Sequence, residues 1–568
     1  MSSVTRRQLF LWSLPLLFLA LFYFYPLGSV LSLSLSRDDG SLTTTLVNAI
    51  QSGTVQQAFF FTIWQAILST ILTLLIGLPG AYLMGRYSFR GKSFFRAITM
   101  VPFVMPTLVV AAGFNALLGS RGWVNQGLMS IFNLQNPPIQ FSQTIYAILA
   151  AHVFYNTTIV LRMVGDFWQR LDTKLGQAAE VLGASKWSVF KEITVPLLLP
   201  VISAAALLVF IFDFTSFGVI LILGGPRFAT LEVEIYYQTV SLFNLPLAAI
   251  LSIVQLGCTL TMTLIYSRLS SRISRPITLR SKATSERRLN TWKKRLVSAL
   301  IIGFLLLLLT TPLIALATQS MVSMEGFRGS RDSTPTGFTL RYYEALTKNP
   351  QESLFYVAPT TAIAISLGYA GLTVVLSLII GTPSAWALAK GRDTWLNRIL
   401  DPIIMLPLGT SAVTLGLGFI IALSQPPLDL RTSPLLIPIA HTLVAYPFVV
   451  RSLTPALRSI QPKLRYAAAV LGASPRQVIR HIDLPLVGRA LLVAAVFAFT
   501  ISIGEFGASS LIARPEFPTL PVVIYRFLSR PGEMNYGQAL ALSTILMSVT
   551  IAGMLLIERF RIGEASEI

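Results

Sequence analysis

Two acids, Asp213 and Glu505, lie inside long apolar runs, and two of the three histidines, His152 and His441, lie inside two others. A charge at the centre of a bilayer costs about 2.5–3.5 kcal/mol on insertion scales, so a buried ionisable residue is either functional or locally satisfied. The chemistry open to these four is binding rather than bond-making. A carboxylate can attract a cation and shape a gate, or it can cap a helix end or pair with a histidine. Each acid stands shortly before a Phe-Gly pair, Phe217-Gly218 and Phe506-Gly507. No metal site is expected, because one cysteine, Cys258 within an apolar run, and three histidines are too few. Gly91-Lys92-Ser93 is not a phosphate loop, since Arg86 holds the place of the required first glycine. This chain is expected to bind no cofactor and to need ATP only on another subunit.

A second set of residues recurs at fixed spacing. The first copy has Gln177, Ala178, Ala179, Gly183, Ser185, Ile193 and Pro196; the second has Tyr466, Ala467, Ala468, Gly472, Ser474, Ile482 and Pro485. Leu171, Leu175, Ala178, Ala179 and Leu182 fall at helical spacing and form one apolar stripe. Gly183 and Gly472 suit the left-handed position past a helix end, and Ser185 and Ser474 suit the next N-cap. Val189, Phe190 and Ile193 stripe a second short helix, expected to stop before Pro196. Each copy therefore reads as helix, glycine turn, helix.

The elements that hold these residues follow from composition. Of 568 residues 54% are hydrophobic and only 12% charged, with a mean hydropathy of +0.68, and runs of about 20 apolar residues recur throughout. Twelve spans are expected, among them continuous ones at 97–118 and 399–423. The net charge of +20 raises the question of nucleic acid, and its placement answers it. With the N-terminus inside, the six outward loops hold 11 Lys/Arg and 11 Asp/Glu, while the inward segments hold the other 33 Lys/Arg. That is the positive-inside pattern, so the charge reports topology and contact with anionic lipid, and no nucleic acid is needed. Arg6 and Arg7 precede the first span. Its apolar run is too long for a cleaved signal peptide, and no small-residue site follows. Both termini are expected in the cytoplasm.

An internal repeat sets the architecture. At an offset of 289 residues His152 matches His441, Arg162 matches Arg451, Gly183 matches Gly472, Phe217 matches Phe506 and Tyr236 matches Tyr525. Gly77, Pro79 and Ala81 match Gly381, Pro383 and Ala385 at 304. Residues 268–295 hold ten Lys/Arg and one acid, a basic cytoplasmic linker. The chain thus divides into a first transmembrane domain (1–267), the linker and a second transmembrane domain (296–568). The fold class is all-α: a polytopic membrane protein of about twelve helices in two parallel six-helix repeats.

The doubled loop resembles the cytoplasmic signature loop of ABC importer permeases, the membrane subunits of binding-protein-dependent systems. Ala151-His152-Val-Phe, Gly224-Gly-Pro226 with Glu232 to Tyr236, and Ser502-Ile-Gly-Glu505-Phe-Gly507 look most like the fused permeases for ferric iron and thiamine. The loop's usual opening Glu is replaced here by Gln177 and Tyr466. The resemblance implies that the chain is a bacterial inner-membrane transporter subunit and no enzyme. It further implies two copies of a cytoplasmic ATPase seated on the loops and an external solute-binding protein. The solute would be ferric iron or a thiamine-like cation, with Asp213, Glu505, His152 and His441 as pathway or gate candidates. The alternative is an ion-coupled secondary transporter of six plus six helices, which predicts more intramembrane acids.

Overall fold

The computed structural model describes residues 3–35, 51–171, 174–273, 287–323, 337–348, 357–390, 395–424, 426 and 428–565. Part of the linker (274–286) and much of the loop from 318 to 355 lie outside the described residues. The first half holds α1 (Leu11–Ser34), α2 (Gly53–Arg86), α3 (Thr107–Leu118), α4 (Ile145–Arg170), α5 (Val195–Phe214) and α6 (Leu245–Ile273). The second half repeats them as α7 (Trp292–Gln319), α8 (Pro359–Lys390), α9 (Ala412–Ala422), α10 (Leu436–Ser459), α11 (Leu484–Gly504) and α12 (Glu533–Ala565). The fold is helical, as the apolar runs require. A two-residue parallel pairing ties Tyr87–Ser88, after α2, to Arg287–Arg288 at the linker's end.

Among the described residues ten helices are long and apolar enough to cross a membrane. The spans expected to run unbroken at 97–118 and 399–423 are each broken instead. Lys92–Val104 meets Thr107–Phe132 at 107°, and Trp395–Gly409 meets Ala412–Ala422 at 94°. The causes are local. Pro106 lacks an N–H and forces Met105 into extended backbone (ψ 136°). In the second half Thr410 is extended and Ser411 caps α9, accepting from the Val413 and Thr414 amides at 3.1 and 3.3 Å.

The two halves exchange their first helices. α1 packs against α8 and α9 of the second half, and α7 packs against α3 of the first. Trp12 Nε1 donates to Asn397 Oδ1 (3.3 Å), and the Tyr23 hydroxyl lies 2.7 Å from Thr410 Oγ1. Both crossings use a glycine beneath a proline turn. A Cβ at Gly113 would stand 2.9 Å from the Pro312 carbonyl oxygen, and one at Gly418 would stand 3.1 Å from Pro26 Cβ. α4 and α10 are the most deeply buried spans and form the centre of each half. α1 and α7 keep outer faces such as Leu14, Leu300 and Leu307 exposed. Lipid is the solvent for such a face.

Candidate functional site

The doubled loops fold as their spacing dictates. Lys174–Val181 and Pro462–Val470 are short helices with no buried residue. Each ends on a glycine with positive φ, +90° at Gly183 and +82° at Gly472. The amides of Ala184 and Ala473 reach back to the carbonyls of Ala179 and Ala468, both at 3.0 Å, which closes the helix end. Ser185 then caps Lys186–Val189 through the Ser188 amide (3.1 Å), and Ser474 forms a reciprocal capping box with Gln477.

The second short helix does not stop at Pro196. A π turn, Phe190–Thr194, carries it into α5, and Ile479–Asp483 carries its counterpart into α11 past Pro485. A wider turn has room for the proline ring and does not call on the missing N–H. The unbroken pieces Lys186–Phe214 and Pro475–Gly504 therefore run from the loop surface deep into the bundle. They are levers.

Of the expected apolar stripe, Leu175, Ala178 and Leu182 face outward, Ala179 is half-buried and Leu171 is buried, and Val181 joins the exposed group. Val181 and Leu182 are 87% and 89% exposed, and their matches Val470 and Leu471 are 86% and 87% exposed. Gln177, Tyr466, Ala178, Ala467, Ser185 and Ser474 are exposed beside them, while Ala179, Ala468, Ile193 and Ile482 are half-buried. The two loops are braced differently. Arg465 Nε donates to Asp483 at 2.7 Å in the second, where the first packs Gly176 against Val189.

At the far ends of the levers, both halves line a partly open cavity of about 430 Å³. Asp213, His152 and Asn156 line it, whereas Glu505 and His441 do not. Asn156 Nδ2 donates to Asp213 Oδ1 at 2.6 Å, and Gln65 Nε2 donates to the Asp213 carbonyl at 2.8 Å. Oδ2 of Asp213 is buried without a hydrogen-bond partner among the described residues. His152 sits between Ser69 and Ser216 (3.0 and 2.8 Å), with Nδ1 3.4 Å from Asp213 Oδ1.

Glu505 is placed otherwise. Its oxygens accept from the Ala508 amide (2.8 Å), the Ser509 amide (3.1 Å) and the Ser509 hydroxyl (2.8 Å). His441 Nε2 stands 3.2 Å away, and the ring bridges Ser502 and Ser509 at 2.7 and 2.8 Å. This acid caps the helix Gly507–Ile512 and is satisfied at home.

Four aromatic rings join the halves beside the cavity. Phe217 and Phe506 stack at 5.4 Å and 22°, Tyr236 lies 5.4 Å from Phe217, and Tyr525 lies 5.4 Å from Phe506. Glu232 also lines the cavity; it accepts from Ser411 of the second half and from Gln255 at 2.5 Å. Burial pushes this carboxyl, which lies outside the spanning helices, up to about 7.

Sequence reading singled out Asp213 and His152 but not Asn156, Gln65 or the joint role of the rings. Phe217, Phe506, Tyr236 and Tyr525 stand out in the sequence as repeat matches, and the first three also within motifs, but not as one stack. A polar residue on a buried helix, such as Asn156, was the one available signal.

Two parallel six-helix halves, a matched cytoplasmic-type loop on each and a cavity between them define a solute permease of the membrane. Residues 77–275 and 377–561 match the family described as Binding-protein-dependent transport system inner membrane component, and the chain belongs to that family. It is a multi-pass inner membrane protein and a transporter subunit, with the two-domain fused layout of an ABC importer permease. It is 27% identical over 553 residues to the Thiamine transport system permease protein ThiP of Salmonella typhimurium, covering 96% of this chain and 97% of that one. It is 26% identical over 498 residues to ThiP of Escherichia coli, covering 86% and 87%. With ThiP of Brucella abortus it is 27% identical over 503 residues, covering 88% and 86%.

Proposed function

We propose that the chain passes thiamine or a closely similar cation into the cytoplasm, receiving it from an external solute-binding protein and driven by two copies of a cytoplasmic ATPase. Both termini, the linker and the doubled loops then face the cytoplasm, in keeping with the distribution of Lys/Arg. ATP is bound on the partner subunits. The names of the relatives favour thiamine over ferric iron.

The observation that carries this reading is the pair of matched levers. Exposed Val181-Leu182 and Val470-Leu471 offer two like apolar contacts at one end, and each lever reaches the cavity wall at the other. Gln177, Ala178, Ala179, Gly183, Ser185, Ile193 and Pro196, with Tyr466, Ala467, Ala468, Gly472, Ser474, Ile482 and Pro485, form the coupling surfaces. Two ATPase copies moving together would move α5 and α11 together, which parts the halves where Phe217 meets Phe506. The missing Glu leaves contact with the ATPase to apolar burial rather than to charge. The test is uptake of radiolabelled thiamine into proteoliposomes holding this chain with a partner ATPase and solute-binding protein from the same organism. ATP-dependent accumulation that requires all three components is expected. An ATPase and binding protein that assemble with the chain yet move no thiamine would refute the substrate.

A further inference from the structure

The repeat invites equal roles for its two acids, and the structure separates them. Asp213 aligns with Ser502, and Glu505 aligns with Ser216, so the acids are not equivalent in place. Glu505 is saturated by the start of its own following helix. Asp213 is 1% exposed and lines the cavity with one oxygen held by Asn156 and the other held by nothing described. A buried carboxyl in that state is costly as an anion unless it takes up a proton or a cation lies against it. Aromatic side chains make up much of the wall, among them Phe103, Tyr155, Phe448, Phe497 and the stacked pair Phe217 and Phe506. Aromatic faces attract cations and stack on flat rings. The volume of about 430 Å³ lies within the about 300–1,000 Å³ usual for small-molecule sites.

We propose that this cavity is a transit site for an aromatic organic cation, with Asp213 as the counter-charge and Phe217 and Phe506 as the surface against which its rings rest. The site rests on the reading of a cationic solute and goes beyond it, because it places recognition within the permease itself. Asn156 and Gln65 are positioning residues that fix the Asp213 carboxylate and its backbone. The site is one-sided: Ala445 and Tyr369 stand where the repeat would put partners equivalent to Asn156 and Gln65. A single solute is therefore bound off the pseudo-twofold axis, nearer the first half.

The experiment measures equilibrium binding of radiolabelled thiamine to the full chain in lipid nanodiscs, competed with N-methylquinolinium or with neutral quinoline. Saturable binding displaced by the cation and not by quinoline is expected. Asp213→Asn should weaken binding at least about tenfold, the effect of removing one partner of a buried charge pair. Asp213→Glu should restore most of it, and Phe217→Ala with Phe506→Ala should weaken it while keeping the preference for charge. Unchanged binding in Asp213→Asn, equal displacement by quinoline, or no saturable binding to the unaltered chain would each overturn the site. Should Asp213→Asn fail to fold, the competition between charged and neutral probes on the unaltered chain decides alone. Thiamine uptake without binding to the nanodisc-held chain would sink the site and leave the transport reading standing. Asp213-dependent binding of N-methylquinolinium without thiamine uptake would do the reverse.

Discussion

Replacing Gly183 and Gly472 together by valine separates the coupling role of the loops from the stability of the membrane fold. A Cβ at either position meets nothing within 4 Å, so packing contributes no penalty. What remains is backbone. At φ of +90° and +82° an L-residue is disfavoured by about 1–2 kcal/mol per site. The alternative is to abandon the turn, which gives up the Ala184–Ala179 and Ala473–Ala468 hydrogen bonds at about 1 kcal/mol each. Both routes cost about the same, so each loop divides between a strained native turn and a relaxed one. The relaxed turn swings Val181-Leu182 or Val470-Leu471 off its lever. Because the loops are exposed and share no core, the spans should insert and pack as before. Expected is a monodisperse membrane protein of unaltered melting temperature that holds its ATPase weakly and transports poorly. Gly→Asn, which tolerates the left-handed region, should keep most of both. Size-exclusion profiles, ATPase co-purification and ATP-driven uptake measure the three quantities. Undiminished ATPase retention and uptake in the double valine variant would refute the argument, as would an asparagine variant as defective as the valine one.

Orientation can be read with single cysteines in a Cys258→Ser background, at Ser130 on the exposed helix Trp123–Phe132 and at Ser459 beside the second coupling loop. Impermeant maleimide added outside should label Ser130→Cys and spare Ser459→Cys; the opposite pattern would invert the proposed topology. Glu232 gives a pH test. Its carboxyl is raised from 4.5 to about 7 by burial, so its stabilising neutral form is fully present below about 4.5 and lost as pH rises through about 7. Melting temperature should therefore fall between those values, by the equivalent of roughly 3 kcal/mol at most. Glu232→Gln, which keeps the shape and one of the two accepting oxygens but cannot titrate, should flatten the slope; an unchanged slope would show that other groups cause it.

The coupling loops were legible in sequence because each part obeys a local rule. A left-handed glycine, a serine N-cap and an apolar period of 3.6 need no knowledge of the partner half, and all are found at the expected residues. Pro196 misled for the same reason. The rule that helices end before proline holds for an α ladder, and the π turn that evades it leaves no clear trace in residue type. The breaks near Pro106 and Ser411 show two ways of making one bend, only one of which uses a proline. The exchange of α1 and α7 is a matter of tertiary choice: their apolar faces would suit either half. The fit of Gly113 under Pro312 and of Gly418 under Pro26, with the Trp12–Asn397 and Tyr23–Thr410 contacts, reveals which half was chosen.

The same contrast explains why the repeat is kept in some places and lost in others. Groups that must act in step remain matched: both glycine turns, both serine caps, both π turns and the rings Phe217, Phe506, Tyr236 and Tyr525. Under the proposed function, two identical motors pushing on unlike levers would tilt the halves unevenly, and a gate of stacked rings on the pseudo-twofold axis would open cleanly only if both sides retreated. Groups that meet the solute face a different demand. A small cation without twofold symmetry gains nothing from two equal counter-charges, and a second unpaired buried acid would only add a second desolvation cost. Glu505 is neutralised in its effect by the helix it caps, and Asp213 is left with a buried oxygen that has no hydrogen-bond partner among the described residues. Symmetric levers with an asymmetric pocket are what a fused chain permits, since each half can then change its own lining while the coupling loops stay alike.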